Sequence, residues 1–109
     1  MDGDGTAPLI VVVVGKIACR KETVRDLTAL GLAHVRRSRA QPGCLSHEMS
    51  VDAEDPLCLT FVETWQDRAA LVAHFAAPES ISFVRQARRL AARPPSIKIF
   101  EATPLETPF

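Results

Sequence analysis

Residues 60–75, TFVETWQDRAALVAHF, read as a strand that runs directly into a helix. Side chains of a strand alternate between faces, so Leu59, Phe61, Glu63 and Trp65 share one side, and a carboxylate stands in an otherwise apolar row. Buried without a partner, that carboxylate is costly or takes up a proton. A partner is therefore expected, with His74 and an arginine as the leading candidates. On the helix, Leu71, His74 and Phe75 fall at i, i+3 and i+4, which turns the imidazole toward the sheet.

Working outward, Asp67 is placed to cap a helix over residues 68–76, Pro78 interrupts it, and a further helical stretch runs from Glu79 to about Ala92. Upstream, CLSHEMSV at 44–51 alternates Leu45, His47, Met49 and Val51 against polar or small neighbours. DAEDP at 52–56 is turn chemistry, so 44–51 and LCLTFVETW at 57–65 form an antiparallel hairpin. LIVVVVGKI at 9–17 is β-branched on both alternating faces, as in a strand covered on both sides. From Glu22 to about Ala40, Val24, Leu27, Gly31 and Val35 recur at helical spacing until Pro42 and Gly43 stop the helix. SIKIFEA at 96–102 is a last short strand.

The order strand, helix, strand, strand, helix, strand is the α+β, ferredoxin-like split βαβ: an antiparallel sheet with helices on one face. The bare face, apolar along the first strand, predicts a homodimer packed sheet to sheet. One domain over residues 9–102 is expected, with a disordered tail at 1–8 and an extended tail at 103–109.

Composition narrows the partners. Thirteen Lys and Arg balance thirteen Asp and Glu, so no overall field draws the chain to nucleic acid or anionic lipid, and neither partner is expected. The first residues, MDGDGTAP, have no basic region, and the apolar run Leu9–Val14 is too short for a leader or a membrane span. Cys19, Cys44 and Cys58 lack CxxC spacing, which points away from a disulfide framework or a zinc site and toward a reducing cytoplasm. His34 reads as a helix-flank residue, and no metal is expected. Arg36, Arg37, Arg39, Arg88, Arg89 and Arg93 read as surface charge.

The stretches PGCLSHEMSVDAEDP and FVETWQDRAALVAHF together resemble the antibiotic-biosynthesis monooxygenase family of dimeric α/β-barrel proteins. The shared marks, over roughly residues 9–102, are Pro42-Gly43, Asp55-Pro56, the Glu63 and Trp65 pair, and His74. The resemblance implies oxidation of a small aromatic, quinol or anthrone-type substrate by dioxygen with no cofactor, neither flavin nor metal. Trp65 and Arg85 match the anthrone-oxygenase type, whereas Phe61 and Leu71 replace its asparagine and tyrosine. The residues of the haem-degrading branch are missing.

Such chemistry asks for a base, donors to an oxyanion, and aromatic walls in a dry pocket. His74 is the candidate base and Glu63 its orienting partner, with Arg85 added by the resemblance. Trp65, Phe61, Leu71 and His47 are the candidate substrate contacts. A ligand-binding, isomerase or cyclase-type protein of the same architecture is the alternative, favoured by the apolar Phe61 and Leu71.

Overall fold

The computed structural model describes residues 8–108, so the tail expected at 1–8 lies, but for Pro8, outside the described residues. Its elements are β1 (Ile10–Ala18), α1 (Val24–Ser38), β2 (Cys44–Val51), β3 (Cys58–Trp65), α2 (Arg68–Ala76), α3 (Pro78–Leu90) and β4 (Ser96–Ala102). The strands form one antiparallel sheet in the order β2-β3-β1-β4, the ferredoxin-like arrangement, with the helices on one face.

Local chemistry sets the boundaries. Asp67 caps α2 by accepting from the Ala70 amide at 2.9 Å. Pro78 begins α3, where its missing N–H costs nothing. In the β2–β3 turn the side chains of Asp52 and Asp55 accept from the amides of Glu54 and Leu57. Gly43 has φ +82°, and a Cβ there would meet the Cβ of Ala70 at 2.5 Å, so both backbone and space demand glycine. Its carbonyl accepts from Gln66 at 2.8 Å, which ties the α1–β2 loop to the end of β3.

The helix-facing row of β3 organises the core. Leu59 and Phe61 belong to one apolar cluster with Ile17, Leu27, Val35 and Ala87. Trp65 belongs to a second with Val11, Val13 and Leu71. Glu63 holds the row position between them. Above Phe61, α1 comes close because residue 31 is glycine: an added Cβ would lie 2.5 Å from Met49 Sδ and 3.0 Å from the Phe61 ring.

Two expectations need correction. Leu45 does not join the inward row of β2 but is 56% exposed. A register shift between Cys44 and Ser46 brings Cys44 opposite Trp65, where it packs on the second cluster in place of Leu45. Val51, opposite Leu59, is also exposed. Residues 103–108 follow β4 without helix or strand, and all six are exposed. No helix among the described residues is long and apolar enough to cross a membrane.

Candidate functional site

The antiparallel register sets His47 on β2 directly opposite Glu63 on β3. From above the sheet, α1 contributes His34 and α2 contributes His74, so all three histidines of the chain cluster together, with His47 and His74 against the Glu63 carboxylate. The imidazole centroids lie 5.2 to 5.6 Å apart. All four residues are buried.

Glu63 Oε1 accepts a hydrogen bond from Trp65 Nε1 at 2.9 Å and lies 3.8 Å from His74 Nε2, while Oε2 lies 3.4 Å from His47 Nε2. Burial alone pushes the Glu63 carboxyl up. The attraction of His47, the Trp65 N–H and the neighbouring His74 outweigh burial and hold its pKa below the usual carboxylate value. No arginine stands among its close partners. The His47 approach is electrostatic rather than a formed hydrogen bond, since neither ring nitrogen of His47 has a hydrogen-bond partner among the described residues.

His74 Nδ1 lies 2.5 Å from Gln41 Oε1 and 3.4 Å from Ser80 Oγ. With the amide oxygen accepting, Nδ1 carries the proton, and the lone pair on Nε2 looks toward Glu63. Two acceptors thus face one gap. Burial lowers the His74 pKa, with Glu63 opposing and His47 and Arg37 adding to the fall. His34 stacks on Phe83, with centroids 4.1 Å apart and planes 6° from parallel. Its pKa is pushed down to about 3, chiefly by burial, with His47 and His74 contributing.

Beside this cluster opens a cavity of about 140 Å³, whose inner end is lined by His34, Phe61, Glu63, His74, Ser80 and Phe83. Gly15 also lines it: facing Phe61 across the β1–β3 ladder, it leaves a gap in the inward row of Val11, Val13 and Ile17. A Cβ at Gly15 would meet only Ser96 O at 3.7 Å and Phe61 Cβ at 3.8 Å. Lys16, Arg88, Ser96 and Ile97 line the same cavity and are exposed.

The sequence-derived candidates divide accordingly. His74, Glu63 and Phe61 line the cavity, and His47 braces Glu63 from the β2 side. Trp65 is not a wall of the cavity: fully buried, it backs His74 at 4.6 Å between centroids and anchors Glu63. Leu71 is buried in the second apolar cluster, away from the lining. Arg85 is exposed on α3, while Arg88, one turn on, borders the cavity. His34 is no helix-flank residue but 5% exposed, on the same stripe as Leu27, Gly31 and Val35. The helical spacing that identified that stripe includes His34. Phe83, Gln41 and Gly15 carried no comparable signal.

The titration shifts share one sign. His34 and His74 bind protons more weakly folded than at the ordinary value of 6.5, and Glu63 more weakly than at 4.5. Below pH 6.5 the unfolded chain therefore holds more protons, and stability falls as pH falls. Urea midpoints are expected to decline continuously from pH 7.5 to pH 4, and His34→Phe, which keeps the stacking on Phe83, is expected to flatten that decline. Equal midpoints at pH 7.5 and pH 5 would contradict neutral, buried imidazoles.

Residues 10–86 match the antibiotic biosynthesis monooxygenase family. The Synechocystis protein sll1783 is 33% identical over 97 residues, 89% of this chain and 66% of that protein, so the chain spans slightly less than two thirds of its relative's length. Rv0793 from Mycobacterium tuberculosis superposes with a TM-score of 0.81 at 26% identity, covering 92% of this chain and 99% of that one. The crystal structure of an antibiotic biosynthesis monooxygenase superposes at 0.79 and 26% identity, covering 86% and 99%.

Proposed function

The chain belongs to the antibiotic biosynthesis monooxygenase family, and from that premise we propose that it oxidises a small, single-ring aromatic substrate of the quinol type with dioxygen. The observation that carries this reading is an apolar cavity that ends on a pair of proton acceptors, His74 Nε2 and Glu63 Oε1, 3.8 Å apart. A phenolic hydroxyl inserted there donates its proton into the gap.

The cavity of about 140 Å³ is on the scale of one benzene-sized ring and opens past exposed Lys16, Arg88, Ser96 and Ile97, which supports a quinol with one ring at the inner end. Phe61 and Phe83 flank the ring, and Gly15 leaves it floor space.

The chemistry follows from the triplet ground state of dioxygen, which reacts slowly with closed-shell molecules unless one gives up an electron readily. Deprotonation of the quinol supplies such a donor. His74 takes the proton at Nε2, with Nδ1 fixed by Gln41, and the Glu63 carboxylate stabilises the imidazolium formed. One electron passes to dioxygen, the two radicals combine to a peroxide, and the imidazolium returns the proton as the O–O bond breaks. Hydroquinone and dioxygen become hydroxyquinone and water, which balances without an external reductant. His47 and Trp65 keep Glu63 ionised and in place.

We also propose a homodimer through the outer sheet face, where Val62 is 42% and Phe100 51% exposed beside half-buried Val12 and Val14. Light scattering is expected to give twice the chain mass for the parent and the single-chain mass for a Val62→Lys/Phe100→Lys double variant. A monomeric parent at micromolar concentration would remove the dimer.

For the reaction, an oxygen electrode should record uptake with one-ring hydroquinones in flavin-free, chelator-treated buffer. His74→Gln is expected to lower kcat by about 100-fold or more, and Gly15→Val, which fills the cavity floor, to raise KM. A folded His74→Gln protein with parental rates would remove the base. Aromatic ligands that raise the melting temperature with no oxygen uptake would instead indicate a binding module.

A further inference from the structure

Proton transfer at His74 and Glu63 leaves two buried imidazoles unused. His47 is 1% exposed with neither ring nitrogen hydrogen-bonded among the described residues, Nε2 standing 3.4 Å from Glu63, and His34 reaches the same spot from α1. A buried polar group without a partner is a cost that a folded protein rarely carries. Here one ligand atom from each of His34, His47 and His74 lies within 4.8 Å of the others, and the Glu63 carboxylate adjoins two of them.

We infer that His34, His47 and His74 form a binding site for one divalent first-row transition-metal ion, of the zinc, cobalt or nickel class, with the Glu63 carboxylate beside it as counter-charge. Three imidazoles suit these borderline ions, whereas magnesium and calcium prefer oxygen donors. Metal–ligand bonds of about 2.0–2.1 Å put tetrahedral donor atoms about 3.3 Å apart, so donors now within 4.8 Å of one another draw together by up to about 1.5 Å on binding. The supporting contacts are those of a metal site. His74 can donate from Nδ1 to Gln41 Oε1, fixing the tautomer that leaves Nε2 free, and Trp65 orients the carboxylate.

The surrounding charges also bear on the cation. Glu63 contributes the negative charge and Ser80 is neutral. Arg37, 3.4 Å from His34 Nδ1, opposes the ion, but it is exposed at the edge, and binding through His34 Nε2 leaves Nδ1 protonated and ends that contact. Cys44, near Glu63, is the one thiol that could compete.

This site does not depend on the oxygenase reaction, and the two uses exclude each other at any moment. The Nε2 lone pair of His74 either accepts a proton or binds the ion.

Tag-free, chelator-treated full-length protein titrated with Co²⁺ is expected to show visible ligand-field bands that saturate at one equivalent per chain. Binding is expected to weaken by about 100-fold or more in His34→Phe and in His47→Gln, and to persist in Cys44→Ser. Should either histidine variant fail to fold, the parent protein gives the answer by NMR. The chain has three histidines, and the imidazole nitrogen signals of all three must shift together on adding one equivalent of Zn²⁺. Absence of saturable binding, undiminished binding in the folded histidine variants, loss in Cys44→Ser, or Zn²⁺ shifts confined to one or two histidines would overturn the site.

Discussion

A carboxylate in the buried row of a central strand must be compensated, and the helix-facing side of this protein is arranged around that requirement. Glu63 stands between two apolar clusters on β3, where the same position filled by valine or leucine would join them. Instead the fold brings an indole N–H and two imidazoles to its oxygens from β3, β2 and α2. Removing one partner from a buried charge typically costs more than the pair contributes in net stability. The compensation is incomplete at His47, which stands beside the carboxylate with neither ring nitrogen hydrogen-bonded among the described residues.

The architecture was readable because its signals are local. Asp67, Pro78 and the paired aspartates of the hairpin act within a few residues of their own position, and each forms the cap, helix start or turn its chemistry predicts. Alternation along β3 placed Glu63 and Trp65 correctly on the inward face, and helical spacing turned His74 toward it. The failures share a cause: they depend on register or on which groups meet across the core. Leu45 was displaced by a bulge that one strand's alternation cannot reveal. Arg85 and Arg88 are one turn apart, and only the docking of α3 beside α1 and α2 decides which borders the cavity. His34, at residue 34, meets His47 and His74 only after the helices have docked.

Small residues create the space in which chemistry can occur. Gly31 lets α1 settle on Met49 and Phe61, carrying His34 down toward the sheet, and Gly43 shapes the loop that delivers Gln41 to His74. Gly15 opens the floor beside Phe61. The resulting hollow is apolar over most of its lining and polar at one end, the general form of a small-molecule site. Similarity to the solved antibiotic biosynthesis monooxygenase structure concerns the scaffold, and the site is read from the side chains themselves: three histidines cluster, two of them against one carboxylate.

Everything proposed for the pocket requires Glu63 to be an anion at neutral pH. Carbon-13 NMR of glutamate-labelled protein, with Glu63 identified by comparison with Glu63→Gln, reads that charge directly. Its side-chain carboxyl signal should hold the ionised shift throughout the neutral range and titrate with a midpoint below 4.5. A midpoint near or above neutrality would mean a protonated acid between His47 and His74, leaving no charge to steady an imidazolium or draw a cation.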